Sequence, residues 1–195
     1  MTVDVRRIPP AEAAGWLDEV ARLRIGVFRD WPYLYDGSLD YERRYLRVYA
    51  ENPSAVLIGA FAGGRIVGAA TGTPMTDHAD EFAAPLAAVG WDAPDVFYCA
   101  ESVLLPGWRG QGIGHRFFDL REEAARRMGF AHSVFASVIR PHDHPMRPDG
   151  ARDLAPFWRG RGYAPLDAPP ATFRWRDVGD ADDTAKPLAF WGRRL

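Results

Sequence analysis

The sequence predicts a mixed α/β (α+β) domain, and three observations carry that prediction. Apolar runs of strand length alternate with segments whose apolar residues recur at helical spacing, so both kinds of element are expected. The pair Gly63-Gly64, set between the apolar runs 55–61 and 66–73, marks a hairpin. A glycine-rich turn, Arg109-Gly110-Gln111-Gly112-Ile113-Gly114, closes a third run and opens a helical pattern. With 195 residues and 47% hydrophobic content the chain can bury one sizeable core, so residues 1–195 are expected to form a single domain.

The elements follow in order. Residues 3–8 alternate loosely as a short strand stopped by Pro9-Pro10, and Ala13, Trp16, Leu17, Val20, Leu23 and Val27 form the apolar stripe of a first helix. An aromatic loop, 31–37, leads to a second helix capped by Ser38 or Asp40, with Tyr41, Tyr45, Val48 and Tyr49 on its inner face. After the hairpin comes an acidic insert, 76–94, with a short helix near 79–84 that Pro85 should disrupt. The run 96–105 reads as one strand. The helix after the glycine turn carries Phe117, Leu120, Ala124 and Met128 on one stripe and ends at Gly129. Residues 133–139 read as a buried strand, 140–150 as a Pro- and His-rich loop, and Asp153 caps a short helix to Trp158. Two further strands, 172–177 and 188–193, flank an acidic turn.

Bulk properties exclude several classes of function. A net charge of -2 argues against nucleic acid as a partner, because phosphate contacts need a surplus of Lys and Arg. The lone Cys99 leaves no internal disulfide, fits a reducing compartment, and reads as core filler among apolar neighbours. No apolar run approaches the roughly 20 residues that span a bilayer, and the N-terminus lacks a signal core. No membrane partner and a cytoplasmic location are expected.

The glycine turn is the most informative stretch. A strand that turns through glycines into a helix gathers backbone N–H groups and a helix N-terminus at one point, where an anion is held. Glycine is required because a Cβ would obstruct the tight path and the approach of the ligand. A nucleotide P-loop would need a Lys and a hydroxyl residue after its last glycine, and neither is present. A dinucleotide fingerprint would need a third glycine where His115 stands. A phosphate-bearing ligand of another kind is expected.

The run Leu104-Leu105-Pro106-Gly107-Trp108-Arg109-Gly110-Gln111-Gly112-Ile113-Gly114 resembles the strand-Pro-x-x-Arg-Gly-x-Gly-Ile-Gly signature of the GNAT superfamily of acyl-CoA-dependent N-acetyltransferases. A second stretch, residues 155–163 (Ala-Pro-Phe-Trp-Arg-Gly-Arg-Gly-Tyr), resembles that family's late Ala-x-Phe-Tyr-x-x-x-Gly-Phe segment. The resemblance covers nearly the whole order of elements. It implies a mostly antiparallel central sheet of six to seven strands, flanked by about four helices and splayed between the fourth and fifth strands. It implies acetyl-CoA as co-substrate. Ser102, Val103 and Leu104 would then hold the pantetheine arm, with a backbone N–H, Leu104's for choice, facing the thioester oxygen. Arg109 would brace the loop, and Gly110, Gln111, Gly112, Ile113, Gly114 and His115 would cradle the pyrophosphate.

Amine acylation also needs a group to take the amine's proton. Glu101 is the carboxylate inside the run 96–105, and burial there is expected to raise its pKa toward that of a working base. Its alternative role is to pair with an arginine or to anchor the second helix. Tyr98 falls near where some family members carry a catalytic glutamate. Alternation puts 98 and 101 on opposite faces of a strand unless a bulge intervenes. Trp158 stands where many members have a tyrosine that protonates the departing thiolate, which leaves His142, His144 and Tyr163 as candidates. The acceptor, a small amine or peptide, would lie among 31–36, 77–81 and 140–147, with Trp31, Tyr33, Tyr35 and Glu101 as its contacts. His142-Asp143-His144 has chelating spacing without flanking ligands, and no metal is expected. The alternative is a non-catalytic acyl-CoA-binding module, which Trp158 favours. The last strand could pair across a homodimer.

Overall fold

The computed structural model describes residues 2–195, the side chains of residues 79–81 aside. Its elements are β1 (Asp4–Ile8), α1 (Pro10–Phe28), α2 (Leu39–Leu46), α3 (Val48–Glu51), β2 (Val56–Ala62), β3 (Arg65–Pro74), α4 (Ala79–Ala87), β4 (Val96–Tyr98), β5 (Ser102–Leu104), α5 (Ile113–Arg127), β6 (His132–Val138), α6 (Ala155–Gly160), β7 (Ala164–Pro165), β8 (Ala171–Trp175) and β9 (Thr184–Arg194). They build a sheet in the order β1-β2-β3-β4-β6-β9-β7, with β5 joined to β3 and β8 to β9. The pairing of β4 with β6 is parallel, and the other pairings are antiparallel. This is the mixed, mostly antiparallel sheet that the resemblance implies.

Local chemistry accounts for the best-defined joints. Gly63 and Gly64 take φ of 56° and 77°, the left-handed conformation that lets β2 turn directly into β3. Ser38 Oγ accepts from the N–H of Tyr41 at 3.3 Å and caps α2. Three buried clusters line the sheet. The first, under α5, is built on Phe97, Cys99, Phe117 and Phe135; the second, under α1 to α3, on Val20, Leu46, Leu57, Ala69 and Val103; the third, by α4, on Met75, Phe82, Leu86 and Phe190. Cys99 is buried in the first, its Sγ 3.3 Å from Ser133 Oγ, as a filler residue would be.

Several expectations are corrected. The run 96–105 is not one strand. β4 pairs with β3 in the register Thr73↔Tyr98, whereas β5 pairs in the register Ala70↔Ser102. The register slips by one residue between them, which is a bulge at residues 99–101. α4 runs through Pro85 to Ala87, because Phe82 and Leu86 are fully buried on either side of it and hold the turn in place. On α2 the inward position is taken by Glu42, not by Tyr41, which is half exposed; a buried arginine supplies the reason below. β9 was the expected edge for a dimer, but β6 lies on one side of it and β7 and β8 on the other. Its backbone is used within the chain.

Candidate active site

The bulge decides the geometry of the site. β4 leaves the sheet's middle paired to β6, and the N–H of Cys99 makes the last such bond, to the carbonyl of Val134 at 2.8 Å. Beyond it β5 pairs with β3 and the rest of β6 with β9, so no ladder joins β5 to β6. The sheet splays open there. Glu101 O accepts from Thr71 N, and Leu105 N donates to Val67 O, each at 3.0 Å. Antiparallel alternation therefore turns the backbone groups of Ser102 and Leu104 away from β3 and into the gap. Val103, between them, turns its side chain into the core under α1.

At the lower end of the gap the chain enters the glycine loop. Gly110 and Gly112 have φ of 78° and 80°, and a Cβ placed on either would meet nothing within 4 Å. Glycine is used here for backbone path, and open space remains where a phosphate would sit. Ile113 opens α5, whose first-turn N–H groups border that space, and a cavity of about 280 Å³ lies between Val3 and Val5 on one side and Gln111, Gly112, Ile113 and Arg116 on the other. Two side chains stiffen the loop: Arg109 Nε donates to Leu104 O and Gln111 Nε2 to Gly107 O, each at 3.1 Å. Arg161 NH1 donates to His115 O at 3.2 Å and faces its Nδ1 at 3.3 Å, fixing that residue against α6. β5 runs from the gap to the start of the loop, an order suited to an elongated ligand with an anionic middle.

On the other face of the sheet lies a buried charge network. Arg24 of α1 pairs through Nε with Glu42 of α2 at 2.5 Å and through NH1 with Glu101 at 2.7 Å. The Glu101 carboxylate also accepts from the hydroxyls of Tyr45 and Thr71. Burial pushes this carboxyl up, but Arg24 and the two hydroxyls outweigh it and hold Glu101 below its ordinary value. The expected rise toward a base's pKa is therefore wrong. Glu101 is held in its carboxylate form by that pairing with an arginine.

The tyrosines gather around this network. Burial and the nearby Glu101 push the phenol of Tyr33 up to about 12 and that of Tyr45 well above its ordinary value, while burial and Glu42 raise Tyr35. These phenols stay protonated. Because of the bulge, Tyr98 and Glu101 fall on the same face: Tyr98 opposes Thr73, and Glu101 meets Thr71, two residues along β3. Tyr98 packs edge-on to His78 at 5.0 Å and against Phe82. Trp31 lies against His144 at 5.3 Å, and Arg140 donates to the carbonyls of Pro32 and Tyr33 while pairing with Asp177 at 2.6 Å. The loops 31–36 and 140–147 thus meet. Of the segment 77–81, Asp77 is tied to Asn52 and His78 to Tyr98, and the side chains of residues 79–81 lie outside the described residues.

The candidates for the thiolate's proton are scattered. Tyr163 is buried in the core under α5, bonded to Ser133 at 2.7 Å and Glu122 at 3.2 Å, and its phenol is pushed up. His142 sits against the Arg147 guanidinium, which also speaks against a cation there. Among the described residues no three His, Cys, Asp or Glu side chains group as metal ligands. Trp158 packs on Phe135 and Trp191, each at 5.0 Å, as an apolar wall beside β6. Arg24, Glu42, Thr71 and Arg121 were missed by sequence reasoning. For Arg24 and Arg121 a signal existed: each is a charge on the apolar stripe of its helix.

The model of the GNAT acetyltransferase family matches residues 22–148, and the chain belongs to that family. Acetyl transfer is the family's general activity. The fold agrees with solved structures across their length. A ribosomal-protein-alanine N-acetyltransferase from Brucella melitensis is 14% identical, with 98% of this chain and 99% of that one covered and a TM-score of 0.62. An acetyltransferase from Thermus thermophilus is 16% identical, covering 100% and 98%, at 0.57. The paia N-acetyltransferase from Thermoplasma acidophilum, solved in complex with coenzyme A, is 14% identical, with both chains covered in full, at 0.55. At such identities the likeness is one of fold. No curated protein sequence matches the chain. Among the described residues no helix is long and apolar enough to cross a membrane.

Proposed function

We propose that the protein moves an acetyl group from acetyl-CoA to the primary amine of a small molecule or peptide, by direct attack within a ternary complex. The observation that carries this reading is the edge of β5 that no strand pairs, where the ladder to β3 leaves the Ser102 and Leu104 N–H groups turned toward the splay. Acetyl-CoA supplies an activated thioester. Gly110 to His115 would hold its pyrophosphate, and β5 its pantetheine amides.

Order along the chain then separates the two donors. Leu104 lies next to the loop and Ser102 next to the bulge, so the acyl end of a ligand anchored at the loop reaches Ser102. The N–H that faces the thioester oxygen is accordingly Ser102's, and Leu104's serves the arm. A fixed donor aimed at the oxygen where charge develops lowers the barrier. Glu101 stands on the acceptor side as a carboxylate that attracts an ammonium and orients its proton toward water. Trp31, Tyr33 and Tyr35 would line the acceptor's approach. Cys99 is buried on the opposite face, so no thiol nucleophile stands in the gap, which supports direct attack. The departing thiolate takes its proton from solvent.

The test is incubation of the purified protein with acetyl-CoA and a panel of amines, reading free thiol and acetylated product by mass spectrometry. Acetylated product from at least one amine supports the reading. Tight acetyl-CoA binding without product from any amine would favour the non-catalytic module that Trp158 suggests.

A further inference from the structure

The feature that the site so far leaves unused is Arg121. It lies two turns into α5, it is 1% exposed, and its guanidinium has no carboxylate within ion-pair distance among the described residues. An arginine buried without a counter-charge is costly, and an apolar side chain would fill the same stripe at less expense. Its hydrogen-bond partners lie where β3 meets the bulge and the start of β5. NH1 donates to Glu101 O at 2.8 Å and to Thr71 O at 3.2 Å, and NH2 donates to Ser102 Oγ at 2.8 Å. Its Nε has no hydrogen-bond partner, so these three bonds, with the Phe118 ring 4.7 Å from the guanidinium, place the side chain.

The peptide unit between Glu101 and Ser102 connects this contact to the gap. Its carbonyl end accepts from Arg121, and its N–H end is the Ser102 donor that faces the splay. A cation bonded to the carbonyl of an amide draws electron density toward oxygen and leaves the N–H a stronger donor, a cooperative effect that low dielectric enlarges. The same bond fixes the plane of that peptide, and so the direction of its N–H. We infer that Arg121 is a positioning residue for acetyl transfer, acting through the Glu101–Ser102 peptide to aim and strengthen the donor that meets the thioester oxygen. The inference rests on the acetyl-CoA reading above. It also gives α5 two tasks, since the helix whose N-terminus borders the phosphate space clamps the bulge eight residues on.

The experiment uses acetyl-CoA labelled with ¹³C at the thioester carbonyl, bound to wild type, Arg121→Met and Arg121→Lys, with isotope-edited infrared spectra and calorimetric affinity for each. In wild type the labelled carbonyl band lies below its position in solution. In Arg121→Met it returns toward the solution value while the dissociation constant stays within about threefold. Arg121→Lys, which keeps a cation near the carbonyls, lies between. With an amine acceptor from the panel, turnover of Arg121→Met falls about tenfold or more at nearly unchanged KM for acetyl-CoA. An identical band position in wild type and both variants would overturn the inference, as would affinity lost in proportion to turnover. Failure of wild type to bind acetyl-CoA would instead overturn the reading beneath it. Should Arg121→Met not fold, the comparison of wild type with Arg121→Lys decides by the same band.

Discussion

Replacing Arg24 by Met should destabilise the protein strongly, and more at neutral pH than in mild acid. Arg24 is the cation between Glu42, which is fully buried, and Glu101, whose side chain is 13% exposed. Removing one member of a buried ion network leaves charge without compensation, at a cost of about 3–5 kcal/mol. For a chain of this length that corresponds to a fall in melting temperature of roughly 6–20 °C. The sign of the pH dependence follows from Glu101. In wild type its folded pKa is depressed, so its contribution is full above the unfolded value and is lost only as pH falls through the folded one. Without Arg24 the main lowering influence is gone, and burial raises the folded pKa above the unfolded value. That variant gains stability as pH falls, because the protonated acid is the form burial tolerates. Urea unfolding of both proteins at pH 8, 7, 6 and 5 should show the deficit shrinking toward pH 5. A deficit below about 1 kcal/mol, or one independent of pH, would refute the reasoning.

Two further substitutions probe the site from either face. Glu101→Gln keeps the shape and removes the charge. Turnover should fall about tenfold or more with acetyl-CoA affinity within about threefold, and steady-state kinetics with equal turnover would remove Glu101 from the acceptor side. Gly68→Ala places a Cβ 2.6 Å from Leu104 Cδ1, 3.0 Å from Val103 O and 3.1 Å from the Phe117 ring, so the Leu104 side chain must swing away and β5 must give by a few tenths of an ångström. Thermal melts should show a loss of about 1–3 kcal/mol, with KM for acetyl-CoA raised; unchanged KM would mean that β5 does not hold the ligand.

How much of this was legible in the sequence depended on the range of the forces involved. The glycine loop is local: a backbone at φ near 80° needs glycine wherever it occurs, and the letters report it directly. The hairpin at Gly63-Gly64 and the cap at Ser38 are legible for the same reason. The bulge is not local. It exists because β4 and β5 follow different registers on β3, and nothing within residues 96–105 encodes that slip. Alternation alone therefore separated Tyr98 from Glu101, where the bulge returns them to one face. The pKa of Glu101 was misjudged similarly, since its burial was visible in the run of apolar neighbours while Arg24 lay 77 residues away. Arg24 itself could have been suspected. It follows Val20 by four residues and precedes Phe28 by four, on the buried stripe of α1. Once Arg24 is inside, Glu42 must follow it, and Tyr41 is turned outward.

The central claim is that the gap and the glycine loop together take acetyl-CoA, and calorimetry with wild type and Gly112→Trp tests it most directly. The indole would stand in the space that is open beside Gly112, where no protein atom lies within 4 Å of a Cβ. The account predicts wild-type binding with a dissociation constant on the order of 10 μM, and none in the variant, whose fold is checked by circular dichroism. No binding by wild type, or equal binding by both proteins, would contradict it.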